Sequence, residues 1–141
     1  MNVIIEESIT RRVRYSDTDQ MGFMHHSNYA RYYEDARTAL FRKLKMPYSE
    51  VEKEGLLMPV FKMDAHFKQP LRYEEAFTVT TWLEKMPAST ITFHYEIANE
   101  KKEVVHTAKV VLAFLSSKTG KAFRPPRKLL NVLSEQDNMS Q

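Results

Sequence analysis

Apolar and polar side chains alternate along residues 7–15, with Ile9, Val13 and Tyr15 on one side and Thr10, Arg12 and Arg14 on the other. That period of two predicts a half-buried strand. The period then changes. Tyr29, Tyr32 or Tyr33, Ala36, Leu40 and Leu44 recur at helical spacing and give one apolar face over residues 28–45, with Ser27 or Asn28 placed to cap the helix and Pro47 to stop it. A short helical turn from Tyr48 to about Glu54 ends at Gly55. Alternation returns in segments 58–68, 76–86, 90–99 and 104–116, where Phe77, Val79, Thr81 and Leu83 share one face and Ile91, Phe93, Tyr95 and Ile97 another. The breaks at Pro70, Met86–Ser89 and Asn99–Lys102 are short, which favours an antiparallel meander. Thr119-Gly120 turns into a brief strand at 121–124. Pro125-Pro126 then opens a C-terminal helix from Arg127 to about Glu135, leaving 136–141 as a frayed tail.

The expected architecture is α+β: a single antiparallel sheet with an apolar face that something must cover. The segment 28–45 is the only one whose pattern is long enough, so the sheet is expected to wrap around one long central helix. A length of 141 residues suits a single domain spanning 1–141, and no internal repeat or boundary interrupts it. Composition is that of a globular chain, 43% hydrophobic and 28% charged. The absence of cysteine excludes disulfides, thiolate nucleophiles and thiolate metal sites, and it fits a reducing compartment. The opening MNVIIEESITRR has no signal-peptide pattern, and no run approaches the length of a membrane span. A cytoplasmic protein is expected. The net charge of +3 is spread out, except that Lys118, Lys121, Arg124, Arg127 and Lys128 cluster within one stretch. No basic–aromatic interleaving of a nucleic-acid module accompanies that cluster.

Chemistry concentrates in Tyr15–Arg37, YSDTDQMGFMHHSNYARYYEDAR. Two acids, Asp17 and Asp19, stand one residue apart; a glycine turn at Gly22 follows, then His25, His26 and the helix start. Unpaired N–H groups at a helix N-terminus point at any oxyanion formed there, so this arrangement suits attack on a carbonyl. The bland readings are equally concrete. Asp17 is read as a turn former, Tyr29, Tyr32 and Tyr33 as core, and Glu34 as a surface acid paired with Arg31 or Arg37 three residues away. A metal site is not expected, because no His-x-x-x-His or His-x-x-Glu pair presents ligands on one helical face and adjacent histidines point apart. His66, His94 and His106 fall in strand patterns and read as structural. No G-x-S-x-G elbow, P-loop or dinucleotide fingerprint is present.

The pattern Tyr15-x-Asp17-Thr18-Asp19-x-x-Gly22, His26-x-x-Tyr29, Tyr33-Glu34-x-Ala36-Arg37, with a fainter Phe67-x-x-Pro70-x-x-Tyr73, resembles the hotdog-fold acyl-CoA thioesterases of the 4-hydroxybenzoyl-CoA thioesterase family. That resemblance implies hydrolysis of an acyl-CoA thioester without cofactor. It also implies homodimers that often pair into homotetramers, with active sites between subunits. It matches Asp19 to the catalytic carboxylate, as nucleophile or general base. It matches His26 to the residue whose backbone N–H faces the thioester carbonyl, and Glu34 to an acid near the acyl pocket. Gly22 and Tyr29 belong to the same motif and are taken as substrate-binding positions. His25 and Gln20-Met21 depart from the commoner residues, which bears on acyl specificity. Lys68, Arg72 and Arg124 are candidate contacts for CoA phosphates or for an acidic acyl carrier protein. Phe23, Met24, Met58 and Met63 are candidates to line the acyl pocket. The alternatives are an acyl-carrier-protein thioesterase and an acyl-CoA binder without turnover.

Overall fold

The computed structural model describes residues 3–140. The first strand, β1, runs over Ile5–Arg12 and pairs antiparallel with β4, Ala76–Leu83, from Ile5↔Leu83 to Arg12↔Ala76. It begins and ends earlier than the alternation suggested. Val13 stays buried and donates its N–H to Glu75 O at 3.0 Å, but the chain then coils into a 3-10 turn at Tyr15–Asp17 and leaves the ladder.

The long helix α1 covers Tyr29–Lys43 and buries Tyr29, Tyr32, Tyr33, Ala36 and Leu40, the face the spacing predicted, together with Arg37 and Phe41, which the spacing did not include. Its anticipated cap is different. Neither Ser27 nor Asn28 caps α1 with its side chain; His25 instead accepts the Ser27 N–H through its ring at the head of a 3-10 turn, His26–Asn28. Lys45, at φ +59°, reverses the chain, and the short helix α2 occupies Tyr48–Lys53 behind Pro47.

Strands β3 (Val60–Phe67), β5 (Thr90–Asn99) and β6 (Val104–Ala113) complete a five-stranded antiparallel sheet of order β1-β4-β5-β6-β3. Only β4-β5-β6 is a meander; β3 crosses to the far edge beside β6. The predicted strand over 104–116 is broken at Phe114. Leu115–Ser116 (β7) pairs instead with Leu56–Leu57 (β2), a two-residue ladder that the pattern did not suggest. The strand expected at 121–124 reduces to one bridge, Ala122 to Leu115.

Phe77, Val79, Thr81 and Leu83 of β4 and Ile91, Phe93, Tyr95 and Ile97 of β5 all bury on the side facing α1. Each such large apolar side chain removed from water stabilises the fold by about 1.5–3 kcal/mol before entropy is counted. A second helix shares the covering. The C-terminal helix α3 runs over Arg127–Ser140, past Glu135, so residues 136–140 are helical and not a frayed tail; Gln141 lies outside the described residues. Leu129 and Leu133 anchor α3 in the core, and it packs against β1.

Candidate active site

The chain between β1 and α1 folds into a small hairpin. Thr18 bridges Met24, the Asp19 N–H donates to Phe23 O at 2.9 Å, and the Gly22 N–H donates to Asp19 O at 3.1 Å. The Asp19 carboxylate caps the turn from inside: its Oδ1 accepts the N–H groups of Met21 at 2.9 Å and Phe23 at 3.3 Å. Gly22 closes the hairpin at φ +82°, a left-handed conformation that disfavours any residue with a Cβ. The hairpin is strapped to the chain preceding β4. Met24 N–H donates to Leu71 O at 2.8 Å, Phe23 bridges Arg72, and the Arg72 guanidinium lies 4.9 Å from the Phe23 ring centroid.

At the helix start the amides of His25, Ser27 and Asn28 are engaged, with Asp17 O at 2.8 Å, His25 Nδ1 at 3.2 Å and His25 O at 3.0 Å. The His26 amide takes part in none of these bonds. The His26 ring is exposed and stacks loosely on that of His25, with centroids 4.1 Å apart.

Asp17 is more than the turn former expected from sequence. It does close the 3-10 turn, through Arg14 N–H to Oδ2 at 3.0 Å, but it is fully buried. Oδ1 accepts Arg31 Nη2 at 2.7 Å, Oδ2 accepts the Tyr32 hydroxyl at 2.5 Å, and its carbonyl accepts His25 N–H and Asn28 Nδ2, both at 2.8 Å. Burial, and then the Asp17 carboxylate, push the Tyr32 phenol up to about 12.

The remaining predicted positions divide. Tyr29 is buried at the head of α1, stacked on His106 and edge-on to Phe67; burial, and then the Glu75 charge, raise its phenol to about 12. Lys68 and Arg72 lie in the 68–75 connection at the same end of the sheet as the Asp19 hairpin. Glu34 is exposed, and the pairing expected with Arg31 or Arg37 does not form: Arg31 binds Asp17, and Arg37 is buried with Nη1 donating to the Tyr95 hydroxyl at 3.0 Å. Arg124 is far from the hairpin. It lines a depression of about 740 Å³ with Pro87, Ala88, Phe123 and Arg127, beyond the opposite end of β4. Among the candidate pocket residues, Met24 is core, Phe23 is covered by Arg72, and Met63 is exposed on β3. Met58 borders a separate apolar crevice with Val51, Leu56, Leu57 and Leu115.

Sequence reading missed a buried polar row beneath α1. His106 is 1% exposed, and its Nε2 meets the Tyr33 hydroxyl in a very short hydrogen bond. Burial, and secondarily the nearby His66, lower the His106 imidazole to about 4. Burial works against the Arg37 charge, but the Tyr95 and Tyr48 phenols hold it in place and raise its pKa. The available signal was helical spacing, since Tyr29, Tyr33 and Arg37 are four residues apart; the polar partners on β5 and β6 were hidden in an apolar alternation. Among the described residues no three His, Asp or Glu side chains gather as a metal cluster, and no helix is long and apolar enough to cross a membrane.

The family model of the thioesterase-like superfamily matches residues 13–133. The crystal structure of a DHNA-CoA thioesterase from Staphylococcus aureus superposes with a TM-score of 0.86 at 30% identity, covering 96% of this chain and 95% of that one. A hypothetical protein from Aquifex aeolicus superposes with a TM-score of 0.83 at 34% identity, covering 90% and 98%. An acyl-CoA thioester hydrolase of Escherichia coli O157:H7 is 28% identical over 101 residues, which is 72% of this chain and 75% of the relative.

Proposed function

The chain belongs to the thioesterase-like superfamily and is a hotdog-fold thioester hydrolase, and on that premise we propose that it converts an acyl-CoA and water into a free carboxylic acid and CoA with Asp19 as the reacting carboxylate. The observation that carries the assignment is the hairpin. It fixes Asp19 through Oδ1, leaving the reacting role to Oδ2, at the entrance to a helix start where the His26 amide is outside the local hydrogen bonding. That amide is the oxyanion donor in this reading, aided by the positive end of α1. A thiolate leaves readily, so the reaction needs little more than an attacking oxygen and an oxyanion site. Either Asp19 takes a proton from water as the water oxygen bonds to the acyl carbon and the C–S electron pair departs on sulfur, or its own oxygen attacks and water then opens the mixed anhydride. Label found in the Asp19 side chain after a single turnover in ¹⁸O-water identifies the anhydride route. No cofactor enters either route, and the reading is of a cytoplasmic enzyme.

Arg124 cannot serve the Asp19 hairpin of its own subunit, and this supports a paired site. Strand β3 is one edge of the sheet and presents Val60, Phe61, Met63 and Phe67 to solvent. Long apolar edges of this kind are normally covered. A two-fold centred on Met63 would set Lys62 opposite Asp64 of the partner subunit. Antiparallel pairing would also bring the end of the molecule carrying the partner's Arg124 toward the end carrying Asp19. Lys68 and Arg72 from one subunit and the partner's Arg124 then serve the CoA phosphates, while Gly22, Tyr29 and Glu34 border the acyl side.

The decisive assay is thiol release over a panel of CoA and acyl-carrier-protein thioesters, with wild type and Asp19→Asn. Loss of about two to four orders of magnitude in kcat is expected for Asp19→Asn. Activity close to wild type in that variant would remove Asp19 from the chemistry. Turnover of carrier-protein thioesters alone would transfer the substrate class to them.

A further inference from the structure

We infer that Asp17 is a positioning residue of this site: its buried carboxylate and its carbonyl together set the placement of the Asp19 hairpin relative to the helix start. The inference rests on the reading of Asp19 as the reacting group. Asp17 itself is fully buried and touches no substrate.

The connections run to both halves of the proposed machinery. On one side, Asp17 immediately precedes Thr18, the first residue of the hairpin, so its position is the root from which Asp19 projects. On the other side, the Asp17 carbonyl holds the His25 N–H, the amide next to that of His26, and holds the Asn28 side chain at the last turn before α1. The carboxylate then ties this root to α1 itself. Arg31 Nη2 donates to Oδ1, and also donates to Asn28 Oδ1 at 2.9 Å, so Asp17, Asn28 and Arg31 form a closed ring of hydrogen bonds. The Tyr32 hydroxyl completes the clamp on Oδ2.

Charge-assisted bonds of this kind are short and directional, and the carboxylate they converge on is fully buried although the Arg31 side chain is 59% exposed. Loss of the carboxylate releases the hairpin from α1 while leaving the backbone bonds of Asp17 in place. The expected result is misplacement of the reacting carboxylate by a fraction of an ångström to an ångström. Misplacement on that scale costs up to about 100-fold in rate. Asparagine is a poor substitute. Arg14 N–H, Arg31 Nη2 and the Tyr32 hydroxyl all donate to Asp17, and an amide nitrogen would set a donor against one of them.

The test is a steady-state series at 25 °C on protein shown to be folded by circular dichroism: wild type, Asp17→Asn, Tyr32→Phe, Asp19→Asn, and Leu133→Ala as a destabilised control in the distant α3. For Asp17→Asn, kcat falls about 10- to 100-fold with KM within about threefold of wild type. Tyr32→Phe, which keeps the carboxylate and removes one clamp, loses kcat by about three- to tenfold and serves if Asp17→Asn does not fold. Leu133→Ala lowers Tm at least as much as Tyr32→Phe yet leaves kcat unchanged. The inference is overturned if folded Asp17→Asn or Tyr32→Phe keeps wild-type kcat, or if Leu133→Ala loses as much kcat as they do. Retained activity in Asp19→Asn overturns the Asp19 reading instead, a result distinct from either.

Discussion

His106 shows what one buried side chain does to the whole protein's response to pH. Its imidazole is enclosed by Tyr29 and Tyr33 of α1 and Phe67 of β3, and His66 acts on it electrostatically. The folded-state value of about 4 lies below the ordinary histidine value of 6.5. Between those two values the unfolded chain takes up a proton that the folded chain refuses, so stability is lost as pH falls from about 6.5 toward 4. One such group contributes a slope of at most about 1.4 kcal/mol per pH unit. His106→Phe should therefore lose Tm less steeply than wild type between pH 6.5 and 4.5 in calorimetry, whatever its absolute stability. Parallel curves would show that His106 takes up its proton equally in the folded and unfolded chains. Burial lowers the His94 pKa as well, against the raising effect of the Glu84 carboxyl 2.6 Å from its Nε2.

In the proposed reaction the chemistry turns on the hairpin at 18–24, and Gly22 limits how that hairpin can be built. An added Cβ would meet nothing within 4 Å, so substitution there is opposed by backbone conformation alone. Gly22→Ala should cost about 1–2 kcal/mol of unfolding free energy in urea titration. Gly22→Asn should recover most of that, because asparagine tolerates the left-handed region. Equal losses in the two variants would show a steric origin instead. Helix α1 was legible because its apolar residues repeat within a single element, and β5 because its alternation is uninterrupted. The helical extension of α3 was not, because residues 136–140 carry no periodic apolar signal; they continue the helix that Leu129 and Leu133 anchor in the core. The β2–β7 ladder is two residues long, too short for any pattern.

For the whole molecule, the separation between Asp19 and Arg124 makes the proposed paired site testable by subunit mixing. On the proposed roles, Asp19→Ala is expected to abolish turnover and Arg124→Ala to raise KM. In a mixed dimer one site receives Asp19 from the Arg124→Ala subunit and an intact Arg124 from the other. At low substrate, an equilibrated equimolar mixture should recover up to about a quarter of wild-type activity through an isologous two-fold. A mixture no better than the average of its parents would place both residues' roles within one subunit. Light scattering on the same samples gives the solution mass, with a dimer or a dimer of dimers expected.

The sequence by itself determined the fold class, the helix face, the five strands of the main sheet and the cluster of acids and imidazoles before α1, because periodicity and turn chemistry are local properties of the chain. It also singled out Asp19 and Gly22, whose roles are local as well: one caps its own turn and the other supplies a left-handed bend. Tertiary structure alone decided what the other residues do. Asp17 became the fastening between hairpin and helix because residues 14 and 15 positions away fold back onto its carboxylate. His106 became a core imidazole because Tyr33, 73 residues earlier in the chain, lies over it. Arg124 was carried away from the hairpin because β4 separates the two ends of the sheet. Partnerships over such separations leave no periodic trace, since they depend on where the packed elements bring side chains together.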